Sequence, residues 1–181
     1  MKYFLIVLSF LLVSIAGAAQ VDTKNSEFDW YGSKVTGDHY GKILLKESSL
    51  EEKDGKVIGG EFIMDMTTFT VENIDSPKYE KKFLDHMKSA DFFDVEKYPT
   101  ATLKINKVDG NKVEGDLIIK DKTNPIDFTM EQNGDVVTGK MKFDRTKYDM
   151  IYSSGNFFKD LGDKVIHDEV VLTFKVKVIE S

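Results

Sequence analysis

Apolar and polar residues alternate with a period of two along most of this chain. In "EVVLTFKVKVI", Glu169 to Ile179, the residues Val170, Leu172, Phe174, Val176 and Val178 fall on one face while Thr173, Lys175 and Lys177 fall on the other. That is the pattern of a strand with one buried face. "FIMDMTTF" sets Phe62, Met64 and Met66 against Ile63, Asp65 and Thr67, and "ATLKINKV" sets Ala101, Leu103 and Ile105 against Thr102, Lys104 and Asn106. Turn signals separate the runs. Asp54-Gly55, Asp109-Gly110-Asn111, Thr123-Asn124-Pro125 and Asn133-Gly134 can each supply the positive or fixed φ of a tight reversal. Together they predict eight strands, near 27–36, 39–49, 56–69, 100–108, 112–121, 125–132, 135–144 and 168–179, joined as an antiparallel meander.

One segment changes period. Ser76 followed by Pro77 reads as a helix start with a hydroxyl cap, and Tyr79, Phe83, Leu84 and Met87 then recur at helical spacing. A helix over 77–89 is expected to cover one end or side of the sheet. The irregular stretch from Tyr148 to His167 has the length of a lid, with a short helical turn expected around Phe157 to Leu161 and ended by Gly162. Eight strands with one apolar face must bury it, on a second sheet or by closing on themselves. Closure also removes the exposed edges, so an all-β fold is expected: an eight-stranded antiparallel barrel with one helix and a short helical turn. A barrel of that size is either filled by side chains or holds one small ligand, and strand count leaves both open.

Composition then sets the compartment. Lys2, the apolar run from Tyr3 to Ile15 and the small residues of "AGAAQ" read as a secretory signal peptide, with Ala16 and Ala18 fitting an A-x-A cleavage site. The expected organisation is a signal segment over 1–19 and one barrel domain over 20–181, with the mature chain starting at about Ala19 or Gln20. An exported protein, periplasmic or secreted, with no integral membrane span follows. The chain has no cysteine, so its stability must come from a core rather than from disulfides. The formal net charge is -6, which argues against nucleic acid and anionic membrane surfaces as partners.

Candidate chemistry is sparse. His39, His86 and His167 lie in "GDHYG", "LDHMK" and "VIHDE", on separate elements and without metal-ligand spacing. Ser153 and Ser154 lack the G-x-S-x-G turn of a nucleophile elbow, and the acidic run Lys46 to Lys56 lacks the spacing of a calcium loop. No catalytic residue, metal or cofactor is expected. Arg145, the chain's single arginine, stands between Asp144 and Asp149, and a planar salt bridge with one of them is the leading reading, ahead of a head-group clamp at a barrel mouth. Met64, Met66, Met130 and Met141 fall in predicted strands, where thioethers suit either ordinary core filling or a pocket for an irregular apolar chain. In "MKSADFFDVEKYPTA", Met87 to Ala101, the carboxylates Asp91, Asp94 and Glu96 read as connector residues, with Phe92 and Phe93 as buried anchors.

Five motifs, in order, resemble the YceI family: "WYGSKVTGDHYGKI" from Trp30, "GGEFIMDM" from Gly59, "FLDHMKSADFFDVEKYPTA" from Phe83, "VEGDLIIKDKTNPI" from Val113 and "FDRTKYDM" from Phe143. The resemblance covers essentially the whole mature chain. It implies an exported lipocalin-like barrel, not known for catalysis, whose elongated apolar interior binds polyisoprenoid or similar amphiphilic lipids. Matching that expectation to the alternation gives Trp30, Phe62, Met64, Met66, Leu117, Ile119, Phe128, Met141 and Phe143 as lining residues, with Phe83 and Met87 from the helix. His39 and Arg145 are the candidate head-group contacts. The leading reading is a carrier that holds an isoprenoid chain by burial. The alternative is a filled-core barrel acting through its surface as a stress-related or assembly factor.

Overall fold

The computed structural model describes residues 17–179, so most of the predicted signal segment, residues 1–16, lies outside the described residues. The elements are β1 (Gly17–Val21), β2 (Glu27–Lys34), β3 (Gly37–Lys53), β4 (Lys56–Asp65), α1 (Pro77–Lys88), β5 (Thr100–Asp109), β6 (Lys112–Ile119), β7 (Lys122–Asn133), β8 (Val136–Asp144) and β9 (Ile166–Ile179). β2 to β9 form a closed ring in the order β3-β2-β9-β8-β7-β6-β5-β4, with β4 pairing back onto β3 and every pair antiparallel. This is the expected eight-stranded barrel. The added strand, β1, falls where the sequence reads as the signal junction. It pairs with the far end of β3 through Ala19 opposite Leu50, and with β9 through Val21 opposite Val178. β1 thus takes up the line of β2 below the point where β2 begins.

Local chemistry explains where the reversals fall. The β3–β4 turn uses Asp54 and Gly55 at φ 53 and 71, as the sequence predicts. The expected turn at Thr123-Asn124-Pro125 is instead part of β7, and the reversal is at Lys120 and Asp121, with φ 51 and 56. Pro125 is accommodated because residues 122–128 pair only with β6, and β8 joins the ladder from Thr129. In the β8–β9 connection 3₁₀ turns form at Arg145–Tyr148, directly after β8, and at Gly162–Lys164, and not around Phe157 to Leu161. Asp160 and Gly162 take left-handed φ values of 59 and 57, which interrupt a helix before it can form there.

α1 begins at Pro77 as expected, but the Ser76 hydroxyl makes no capping bond; its carbonyl accepts from the Tyr79 and Glu80 N–H groups, each at 2.9 Å. Phe83, Leu84 and Met87 pack half-buried on the core, whereas Tyr79, on the same predicted stripe, is 64% exposed. α1 and the β8–β9 connection lie at one end of the barrel, and β1 lies at the other. The β1 end is filled. Phe28 and Phe174 stack at 5.5 Å, Phe62 lies 5.7 Å from each, and Phe128 meets Phe174 edge-on at 6.0 Å. Gly139 opposes Phe174 across β8 and β9, and a Cβ there would overlap the Phe174 ring, so glycine is what lets that ring point inward.

Candidate functional site

The helix end is hollow. A cavity of about 270 Å³ lies between α1 and the phenylalanine cluster. Its walls come from the inward positions of the strands: Trp30 on β2, Ile43 on β3, Met64 on β4, Ala101 on β5, Leu117 and Ile119 on β6, Phe143 on β8, and Val170 and Leu172 on β9. Phe83, His86 and Met87 of α1, Met66 and Phe69 after β4, Phe92 and Phe93 after α1, and Met150 and Tyr152 of the β8–β9 connection complete it. Phe92 is buried and Phe93 half-buried, so the anchors expected in the post-helix connector also face the cavity.

Trp30 is held rigidly. Its Nε1 donates to the Thr70 carbonyl at 2.9 Å, and its ring stacks on Phe69 at 4.5 Å and lies nearly parallel to Phe83 at 6.1 Å. The chain can pass this close because Gly41, opposite Trp30, has no Cβ to strike the Thr70 carbonyl. With that clearance the segment after β4 runs along β3, the Thr70 N–H donating to Lys42 O at 3.0 Å and the Glu72 N–H to Tyr40 O at 2.9 Å. The consequence is an aromatic wall whose backbone is hydrogen-bonded to β3 at Tyr40 and Lys42.

The rim is polar. Ser33, Lys34, Asp38, His39, His86, Tyr152 and His167 all border the cavity, which brings the three histidines of the chain to one opening from β3, α1 and β9. Each has its own partner: His39 Nδ1 lies 3.1 Å from Asn73 Oδ1, His86 Nε2 3.1 Å from Asp91 Oδ2, and His167 Nδ1 2.8 Å from Ser33 Oγ. Among the described residues no three His, Cys, Asp or Glu side chains are grouped to hold a metal ion. A shallow groove outside α1 shares His39, Phe83 and His86 with the cavity, so these three side chains form the partition between the interior and solvent.

Arg145 lines the cavity but is occupied elsewhere. Its Nε donates to His167 O at 3.1 Å, Nη1 to Met150 O, and Nη2 to Ile166 O at 3.0 Å. Its acidic partner is Asp168, with Nη2 3.0 Å from Oδ1, and not Asp144 or Asp149. Asp144 caps the 3₁₀ turn that follows β8, accepting from the Thr146 N–H and hydroxyl at 2.9 and 2.6 Å, and Asp149 pairs with Lys122 at 2.9 Å. The Arg145–Asp168 contact is an ion pair without hydrogen-bond geometry, since Asp168 Oδ1 accepts no hydrogen bond among the described residues. Asp168 Oδ2 accepts from Ser154 Oγ and Asn156 Nδ2, both at 2.8 Å. Burial lowers the Arg145 pKa, and the charges of Asp168 and Asp144 oppose that shift. The side chain is therefore a bracket that ties the β8–β9 connection to the start of β9. Beside it, burial pushes the phenol of Tyr148 up to about 12, against a contact with Asn124.

Ten of the thirteen side chains selected from the sequence border the cavity: Trp30, His39, Met64, Met66, Phe83, Met87, Leu117, Ile119, Phe143 and Arg145. Phe62, Phe128 and Met141 are buried in packed regions outside it. Alternation separates inward from outward but carries no information on depth along the barrel axis. Of the additional lining residues, Ala101 and Leu172 carry the inward signal in their strands. Met150 and Tyr152 sit on an irregular connection that has no period to read.

Residues 19–178 match the sequence model of the YceI-like domain. The chain belongs to the YceI-like family. Among curated proteins, UPF0312 proteins of Staphylococcus aureus strains N315 and Mu50 are 45% identical over 49 residues, a stretch that is 27% of this chain and 29% of theirs. The match thus spans under a third of the length of these curated relatives. Among solved structures, BcnA of Burkholderia cenocepacia superposes with a TM-score of 0.60 at 23% identity, over 88% of this chain and 99% of its own. A polyisoprenoid binding domain from Saccharophagus degradans, implicated in plant cell wall breakdown, gives 0.59 at 15% identity, over 92% of this chain and all of its own. At these identities the likeness is one of fold alone.

Proposed function

We propose that this YceI-like protein is an exported, non-catalytic carrier that holds the apolar tail of a polyisoprenoid or similar amphiphilic lipid inside the barrel. The observation that carries this reading is the cavity itself: apolar walls from Trp30, Met64, Leu117 and Leu172, a floor of packed rings and one polar rim. Transfer of a hydrocarbon tail into such a site is favourable by about 0.8 kcal/mol per buried CH₂. Burial alone then suffices for affinity, and the rim of His39, His86, His167, Lys34 and Tyr152 offers hydrogen bonds to a head group. The description of the Saccharophagus degradans domain as polyisoprenoid binding supports the same ligand class.

The non-catalytic part of the reading rests on the rim chemistry. Ser33 and His167 form the one hydroxyl–imidazole contact there, at 2.8 Å, yet no carboxylate orients the second ring nitrogen of His167 among the described residues. Export rests on Lys2, the apolar run from Tyr3 to Ile15 and the small residues at Ala16 and Ala18. Cleavage after Ala18 would keep both buried side chains of β1, Ala19 and Val21.

Native mass spectrometry of the protein purified gently from a bacterial host tests the reading. The expected result is a population carrying extra mass that is released as lipid on denaturation. An apo mass alone, with no uptake of added farnesol, would contradict it.

A further inference from the structure

We infer that the barrel selects for tail length, and that its ligand carries a short prenyl-type tail no longer than about that of farnesol, because a layer of phenylalanines closes the tube halfway down. This rests on the lipid-carrier reading above and specifies the substrate class of that site. On three strands the change from hollow to solid occurs within one inward step. Trp30 lines the cavity and Phe28 is packed, Met64 lines it and Phe62 is packed, Leu172 lines it and Phe174 is packed. The rings of Phe28, Phe62 and Phe174 lie within 5.7 Å of one another, so the floor is continuous across the barrel.

Dimensions set the limit. Along β9 the lining runs from Ile166 to Leu172, which at about 3.3 Å per residue and a strand tilt of about 40° makes the cavity roughly 15 Å deep. Its volume is about 270 Å³. At about 15–30 Å³ for each water-sized group, that volume holds roughly nine to eighteen methylene-sized groups. Geraniol and farnesol fall within that range, geranylgeraniol falls just above it, and a long polyprenol such as solanesol far exceeds it. A longer tail would leave its excess outside a polar rim, where it gains no burial.

The four alcohols, presented as an equimolar mixture in detergent micelles and read as bound species by native mass spectrometry, test this directly. Because the micelle already buries every tail, geraniol and farnesol, which the cavity also buries whole, are expected as the main bound species. Solanesol is expected to bind at least about tenfold more weakly than farnesol, because its surplus tail would leave the micelle interior for water. Solanesol held as tightly as farnesol by the wild-type protein would overturn the length limit while leaving the carrier reading intact. Binding of none of the four would overturn the carrier reading instead. In Phe174→Leu, which lowers the floor, the preference is expected to move toward geranylgeraniol. A folded Phe174→Leu protein with unchanged preference would overturn the assignment of the limit to the phenylalanine layer.

Discussion

Arg145 shows how one residue can be conspicuous in a sequence while its role is hidden. It is the single arginine among many lysines, and its two nearest aspartates, Asp144 and Asp149, are the partners that sequence proximity favours. The partner is Asp168, brought close by the fold of the β8–β9 connection, while Asp144 is committed to its turn and Asp149 to Lys122. A planar guanidinium can reach three carbonyls and a carboxylate at once, whereas an ammonium cannot. Arg145→Met would strand the Asp168 charge in a largely buried site, and a loss of about 3–5 kcal/mol is expected in urea unfolding. Adding Asp168→Asn to that variant is expected to restore part of the loss. An unchanged unfolding midpoint for Arg145→Met would show that the bracket contributes little.

At the scale of elements, the strands are legible because each buries one face, and period-two alternation is what that burial requires. The exceptions have physical causes. The β6–β7 reversal begins at Lys120, a residue that does not advertise a positive φ, and continues through Asp121, while Thr123-Asn124-Pro125 nearby carries turn-like residues inside a strand. β1 is hidden because its small and apolar residues are also those of a signal junction. α1 is legible from its proline start and spacing, but its looseness is not: none of its twelve residues is fully buried. A helix docked this lightly should open locally at less cost than the strands beneath it. The amide hydrogens of residues 78–88 are therefore expected to exchange with deuterium well before those of β5 and β6, and to slow when farnesol is added, because Phe83 and Met87 cover the cavity. Protection of α1 equal to that of β6 in the apo protein would contradict its role as the movable cover.

The whole molecule is a barrel with two different halves. The β1 half is a conventional core, in which Phe28, Phe62, Phe128 and Phe174 supply the packing that a chain without cysteine needs. The α1 half keeps its strands' inward side chains apart and leaves space between them. Sequence alternation points to both halves equally, so the closed barrel and most of the lining can be read from it. The boundary between solid and hollow cannot, because it depends on which inward rings meet across the barrel. Trp30 stands just above that boundary and is the only tryptophan in the chain, so its emission reports on the cavity alone. Titrating farnesol while recording Trp30 fluorescence is the most direct measurement of whether the cavity takes a lipid tail. The expected result is a saturable change at one lipid per chain, lost in Ala101→Phe, where a ring would occupy the space beside Met64. Emission that stays flat across the titration in a folded wild-type protein would contradict it.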